Sequence, residues 1–213
     1  MLIYIIRHGE TDGNKRGILQ GCLDIPLNQK GRDLAKVTGQ GLKGTKFDIL
    51  FTSPLSRAKE TGEIILKETS SNAKVVIDDR IRELNFGEWE GENIENSKIM
   101  SKEDFRQITI DPFNFKSGKK GESMKELLER TGSFFEELLS NKSLQNKTVL
   151  IATHGVAYRA LLQNAYEDKS DFWHGKVPDN CSVSILKYEE GKLEILSHDA
   201  IYYDSALAFN PYQ

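Results

Sequence analysis

Cysteine is scarce: the 213 residues hold two, Cys22 and Cys181, far apart and without a C-x-x-C spacing. No disulfide framework is indicated, and a reduced, cytoplasmic protein is expected. Long apolar runs are missing as well. Residues 1–6 are apolar but too short for a signal-peptide core or a membrane span, and they run straight into Arg7 and His8. There is no excess of positive charge, since 29 Lys and Arg stand against 32 Asp and Glu for a formal net charge of −3. Nothing therefore advertises a nucleic-acid or membrane surface, and any anion site must be a local basic pocket set against the global field. Internal repeats and low-complexity linkers are absent, so one domain over residues 1–213 is expected. Three N-x-S/T triplets, at Asn141, Asn146 and Asn180, read as chance or structural in a chain with no secretion signal.

What is present alternates between strands and helices. Residues 2–6 form an isoleucine-rich run suited to a strand buried on both faces. Residues 31–42 can be helical, with Leu34, Val37 and Leu42 on one side, although Gly39 and Gly41 weaken that helix. Further strands are expected at 48–52, 75–77 and 148–152, and helices at 58–68, 122–139 and 154–162. The helix over 122–139 has the clearest stripe: Met124, Leu127, Leu128, Thr131, Phe134, Phe135, Leu138 and Leu139. Residues 182–188 and 193–197, joined by Glu189-Glu190-Gly191-Lys192, read as a hairpin. The expected architecture is a layered α/β fold with a largely parallel central sheet and an antiparallel edge. Residues 92–120 show no clean periodicity and read as an insertion over the sheet's edge, placed to act as a lid.

Four clusters follow predicted strands: Arg7-His8-Gly9-Glu10-Thr11, Ser53-Pro54-Leu55-Ser56-Arg57, Arg82-Glu83-Leu84 and Thr153-His154-Gly155. Ligands of open α/β sheets bind at the carboxyl ends of strands, so these segments should converge. A neutral imidazole is a good nucleophile towards phosphorus. Arg7 and Arg57 offer permanently charged forks that match phosphate oxygens. His154 can donate to a third oxygen, and the N–H of Gly155 at a helix start adds an anion site. Glu83 is the carboxyl group available to protonate a leaving alkoxide and then to activate water, with Glu88 and Glu90 as nearby competitors. Zinc sites usually need three or four His, Cys, Asp or Glu ligands, and arginines would repel a cation, so neither metal nor cofactor is expected.

The run Arg7-His8-Gly9-Glu10-Thr11-Asp12-Gly13-Asn14, then Gln20-Gly21, Ser53-Pro54-Leu55-Ser56-Arg57-Ala58 and Thr153-His154-Gly155, resembles the histidine phosphatase superfamily in its phosphoglycerate-mutase-like branch. The resemblance extends from Leu2 to about Ser184. It implies a three-layer α/β/α fold, a phosphohistidine at His8, a phosphate pocket of Arg7, Asn14, Arg57 and His154, and Glu83 as proton donor. Gln20 and Gly21 would line the substrate side, and Asn180 resembles a position near the site in relatives. The segment Arg82-Glu83-Leu84-Asn85-Phe86-Gly87-Glu88-Trp89-Glu90-Gly91 is similar to the phosphatase members. The arginine-rich stretch with which mutases grip a substrate carboxylate has no counterpart. The sequence departs from common family patterns at Glu92-Asn93 and at Leu34.

The expected activity is metal-independent hydrolysis of small phosphorylated metabolites. The alternatives are a cofactor-dependent phosphoglycerate mutase and a non-catalytic phosphate-ligand-binding protein. Lys98, Lys102, Arg106, Lys116, Lys119 and Lys120 read as a solvated face, the sharper alternative being that one or two reach a second anionic group on the substrate. Cys22 reads as packing near the pocket mouth. His174 and His198 read as surface residues without companions. The aromatic tail, residues 202–213, suits packing on the body or on another subunit, and exposed strand edges are compatible with a homodimer.

Overall fold

The computed structural model describes residues 1–208. Its elements are β1 (Leu2–Arg7), α1 (Asp12–Lys15), α2 (Gln29–Gly41), β2 (Ile49–Thr52), α3 (Ser56–Glu68), β3 (Lys74–Ile77), α4 (Lys102–Ile110), α5 (Met124–Ser140), β4 (Thr148–Thr153), α6 (Gly155–Leu162), β5 (Val183–Glu189) and β6 (Lys192–Ala200). Six strands form one sheet in the order β3-β2-β4-β1-β5-β6. The first four are mutually parallel, whereas β5 pairs antiparallel with both β1 and β6. The predicted hairpin is thus the antiparallel edge.

Alternation along the two central strands builds three layers. Ile3 and Ile5 of β1, with Val149 and Ile151 of β4, pack under Phe134, Phe135 and Leu138 of α5 and Tyr158, Leu161 and Leu162 of α6. Tyr4 and Ile6, with Leu150 and Ala152, face the opposite way onto Leu34 and Ala35 of α2 and Ile65 and Leu66 of α3. Both faces are covered, so β4 is apolar over Val149–Ala152 and β1 over Leu2–Ile6.

Two predicted details change. In α2 the inward side is Leu34, Ala35, Thr38 and Gly39, while Val37 is 39% exposed. Gly39 does not break the helix, because it lets α2 approach α3: a Cβ there would lie 2.6 Å from Cβ of Glu68. Residues 92–120 also contain a helix that the sequence reading missed. Ser101 caps α4 by accepting the N–H of Asp104 at 3.0 Å, and Phe105 and Ile108 point inward one turn apart. Two inward apolar positions in nine residues, with Ile110 exposed, are too few for periodicity to show. Ile94, Met100, Phe105, Ile108 and Phe115 join Leu84, Phe86, Trp89, Met124, Leu127, Val156 and Trp173 in one buried cluster.

The tail packs on the body as far as it is described: Tyr203 is buried, and its hydroxyl donates to the carbonyl of Asn180. Residues 209–213 lie outside the described residues. Among the described residues no helix is long and apolar enough to cross a membrane.

Candidate active site

Register brings the two histidines together. In the parallel β1–β4 ladder Arg7 pairs with Thr153, so His8 and His154 both occupy the next position at the carboxyl end. The N–H of His8 donates to the carbonyl of Thr153 at 2.9 Å. The two imidazole centroids lie 5.2 Å apart at 61°. Both side chains are buried, His8 3% exposed and His154 fully covered.

Their electrostatics follow from that burial. His8 is held well below the ordinary histidine pKa by desolvation first, then by the positive charges of Arg57 and Arg7. His154 is lowered in the same way, by desolvation and then Arg57. Nδ1 of His8 lies 2.7 Å from the carbonyl oxygen of Gly9. A carbonyl only accepts, so Nδ1 carries the proton, and in the neutral ring Nε2 keeps its lone pair. Nε2 of His154 lies 2.8 Å from the hydroxyl of Ser53.

Glu83 arrives on the loop after β3. That loop is tied down by Thr153, whose hydroxyl donates to the carbonyl of Ile81 at 2.8 Å, and by Arg130 of α5. Arg130 donates to the carbonyls of Arg80, Arg82 and Glu83 at 2.7, 2.7 and 3.0 Å and pairs with Glu122. The Glu83 carboxylate closes the start of α6. Oε1 accepts the N–H groups of Leu84 at 2.9 Å and Ala157 at 3.0 Å, and Oε2 that of Val156 at 3.1 Å. The expectation of an open anion site at this helix start is corrected to that extent, since the N–H groups of Val156 and Ala157 already serve Glu83. Of the two competitors, Glu88 is exposed, and Glu90 accepts the N–H groups of Cys22, Leu23 and Phe86.

Arg7, His8, Asn14, Gln20, Glu83 and Gly155 supply the polar lining of a narrow cleft. Asn14 is fixed by a reciprocal cap on α1, in which its N–H meets the hydroxyl of Thr11 and its Oδ1 accepts the N–H of Thr11 at 3.1 Å. Gln20 shares the Thr11 hydroxyl. Arg7 donates one guanidinium N–H to the carbonyl of Pro178, while its buried Nε has no partner among the described residues.

Four expected residues do not line the cleft. Arg57 is fully buried and donates to the carbonyls of Leu23 and Gly21, both at 2.8 Å, so much of its fork braces the loop before it. Gly21 is where that loop meets the carbonyl of Leu84; a Cβ there would stand 2.1 Å from the oxygen. His154 packs edge-on against His8, with its Nε2 on the Ser53 hydroxyl. Asn180 holds the backbone of His8, its Nδ2 donating to the carbonyl of His8 at 2.9 Å. Asn180 therefore meets the backbone of the histidine and not the cleft, because residues 179–182 return along β1 before β5 begins.

The rest of the cleft lining was not legible in the sequence: Phe86, Phe105, Ile108, Val156, Trp173 and Val177, all members of one apolar cluster. Arg130 was missed likewise, and Ser53, quoted within its motif, was given no role of its own, since each works through a contact distant along the chain. Two bland expectations are also corrected. His174 stacks on Tyr166 at 3.5 Å between centroids, and His198 meets the hydroxyl of Tyr166, so both have companions. The six basic residues of 92–120 are all exposed, and none lines the cleft.

Comparison with known proteins agrees with this geometry. Residues 3–200 match the histidine phosphatase superfamily (branch 1). Phosphoserine phosphatase 1 of Hydrogenobacter thermophilus is 33% identical over 195 residues, covering 91% of this chain and 90% of that one. A 2,3-bisphosphoglycerate-dependent phosphoglycerate mutase of Parvibaculum lavamentivorans is 31% identical over 164 residues, covering 76% and 78%. Bacillus stearothermophilus YhfR has a similar structure, with a TM-score of 0.84 at 27% identity over 94% of this chain and 97% of that one. Two histidines set side by side by strand register, two buried arginines beside them and a match over nearly the whole length lead to one conclusion: the chain belongs to the histidine phosphatase superfamily, branch 1, and is an enzyme of the phosphatase type.

Proposed function

We propose that the protein hydrolyses small phosphomonoesters through a phosphohistidine on His8, with no metal taking part. The observation that carries this reading is the 2.7 Å contact of His8 Nδ1 with the Gly9 carbonyl in a ring that burial keeps neutral. It leaves Nε2 as an unprotonated nucleophile at the cleft. Nε2 attacks phosphorus, and the P–O bond to the leaving alcohol breaks in line. Arg7 and Asn14 line the cleft and meet the equatorial oxygens, while Arg57, buried outside its lining, offsets their charge at longer range and His154 packs against His8. Glu83 gives its proton to the departing oxygen and takes one back from the water that cleaves the P–N bond, releasing phosphate. Oε1 of Glu83 already accepts two N–H groups and Oε2 one, so Oε2 has the lone pair for that proton. The segment 92–120 serves as the lid, through Phe105 and Ile108.

A mutase returns the phosphoryl group to an acceptor that carries further anionic groups. Among the described residues Arg7 is the one cationic side chain lining the cleft, which supports hydrolysis over transfer. The test is phosphate release from a panel of phosphomonoesters with chelator present, wild type against His8→Ala. Turnover that survives the chelator and vanishes in the variant is expected. Interconversion of 2- and 3-phosphoglycerate without net phosphate release would replace hydrolase by mutase. Vanadate binding with no turnover of any ester would leave a binding protein.

A further inference from the structure

The cleft is divided by chemistry. Its polar lining is the phosphoryl site; the rest of the lining is Phe86, Phe105, Ile108, Val156, Trp173 and Val177, which pack in one apolar cluster and are each at most 7% exposed. These side chains come from four segments: the loop after β3, α4, the start of α6 and the loop before β5. Only Trp173 among them has a polar side-chain atom, and that atom is spent. Its indole N–H donates to the carbonyl of Ile108 at 2.8 Å, latching the loop before β5 to α4 across the cleft. The cations of the lid do not compensate. All six are exposed, Lys102 is paired with Glu95, and Arg106 lies 3.5 Å from Glu103. A carboxylate or second phosphate placed among these walls would lose its hydration and gain no side-chain partner. A hydrocarbon would gain from the same burial.

We infer that the site selects phosphomonoesters whose leaving alcohol is uncharged and apolar, and discriminates against phosphorylated carboxylic acids and bisphosphates. This rests on the hydrolase reading above, but concerns the apolar walls of the cleft, so the two can fail separately. The loop before β5 is the device that sets the selectivity. It is hung at Lys176 and Pro178 on two buried arginines, Arg159 and Arg7, whose guanidinium groups donate to those carbonyls. Trp173 and Val177 are thereby presented to the space just beyond the phosphoryl site.

The experiment is a homologous series of methyl, ethyl, propyl and butyl phosphate, with phosphoserine and 3-phosphoglycerate alongside. From ethyl to butyl the leaving-group pKa barely changes, so differences in kcat/KM report contact with the walls. Each added methylene is expected to raise kcat/KM about threefold to fourfold until the cleft is filled. Both carboxylates are expected at least about tenfold below butyl phosphate. The matching alkylphosphonates, titrated by calorimetry, should tighten in the same progression without any chemistry. Ile108→Lys should flatten the alkyl series and raise 3-phosphoglycerate turnover relative to butyl phosphate, an inversion that loss of structure alone cannot produce.

A flat alkyl series with phosphate still released would overturn the inference and leave the hydrolase standing. Preference for 3-phosphoglycerate or phosphoserine would overturn it too. Tightening alkylphosphonates with no ester turned over would keep the apolar subsite and sink the hydrolase. The wild-type series needs no variant to fold.

Discussion

Oε1 of Glu83 accepts the N–H of Ala157 at 3.0 Å, so a carboxylate from the loop after β3 caps the helix that follows the second histidine. The pairing joins the proposed proton donor to the element that carries Gly155 and, one residue earlier, His154. Glu83→Gln keeps the shape but loses a carboxylate oxygen and the transferable proton. Turnover of alkyl esters is expected to fall about a hundredfold or more, and p-nitrophenyl phosphate by far less, because p-nitrophenolate leaves without an acid. Steady-state kinetics on both substrates decide it; equal losses would remove Glu83 from the acid role.

Gly155 stands between the two halves of the phosphoryl site. A Cβ there would lie 3.6 Å from Nε of Arg7 and 3.6 Å from Oε2 of Glu83, in ordinary contact with its surroundings. Gly155→Ala should therefore fold with stability changed by less than about 1 kcal/mol, since the position is helical and alanine suits it. Its methyl would occupy the space through which the phosphoryl group passes, and kcat/KM is expected to drop about a hundredfold. Wild-type activity in a folded Gly155→Ala protein would move the phosphoryl path away from Arg7 and Glu83.

Acid should weaken the fold through the two neutral histidines. Their native pKa values are depressed, so below about pH 6.5 the unfolded chain binds protons that the native state refuses. Stability is complete above that pH and falls as pH drops below it, by up to about 1.4 kcal/mol per pH unit for each histidine. Urea midpoints between pH 7 and pH 5 measure the slope. His154→Gln should reduce it, and an unchanged slope would mean that His154 is not buried as the neutral form.

Arg130 is a brace with no substrate contact. Arg130→Met would strand the carbonyls of Arg80, Arg82 and Glu83 and leave Glu122 without its cation. A loss of about 3 kcal/mol is expected by denaturant titration. The surviving activity should show the leaving-group dependence of Glu83→Gln, because the Glu83 carbonyl is one of the groups released. Arg130→Lys should not restore it, as a single ammonium cannot reach three carbonyls and a carboxylate.

Much of this protein is local in origin. The isoleucine run of β1, the stripe on α5 and the hairpin of β5 and β6 each carry their own pattern. So does Arg7-His8-Gly9 followed by Asn14, whose Thr11–Asn14 spacing closes α1 within four residues. These features depend on side chains close together along the chain, where period and capping suffice. Strand register then had to be formed before His8 could meet His154, and tertiary contact alone turned Glu83 onto α6, Arg57 onto the loop at residues 21–23 and Asn180 onto the backbone of His8. The apolar lining of the cleft is the extreme case. Phe86, Phe105, Ile108 and Trp173 come from segments with no shared periodicity, and a pocket wall is a property of surfaces packed from afar. The phosphoryl chemistry is thus written in contiguous motifs, whereas the shape and polarity around the leaving group arise only when the chain has folded.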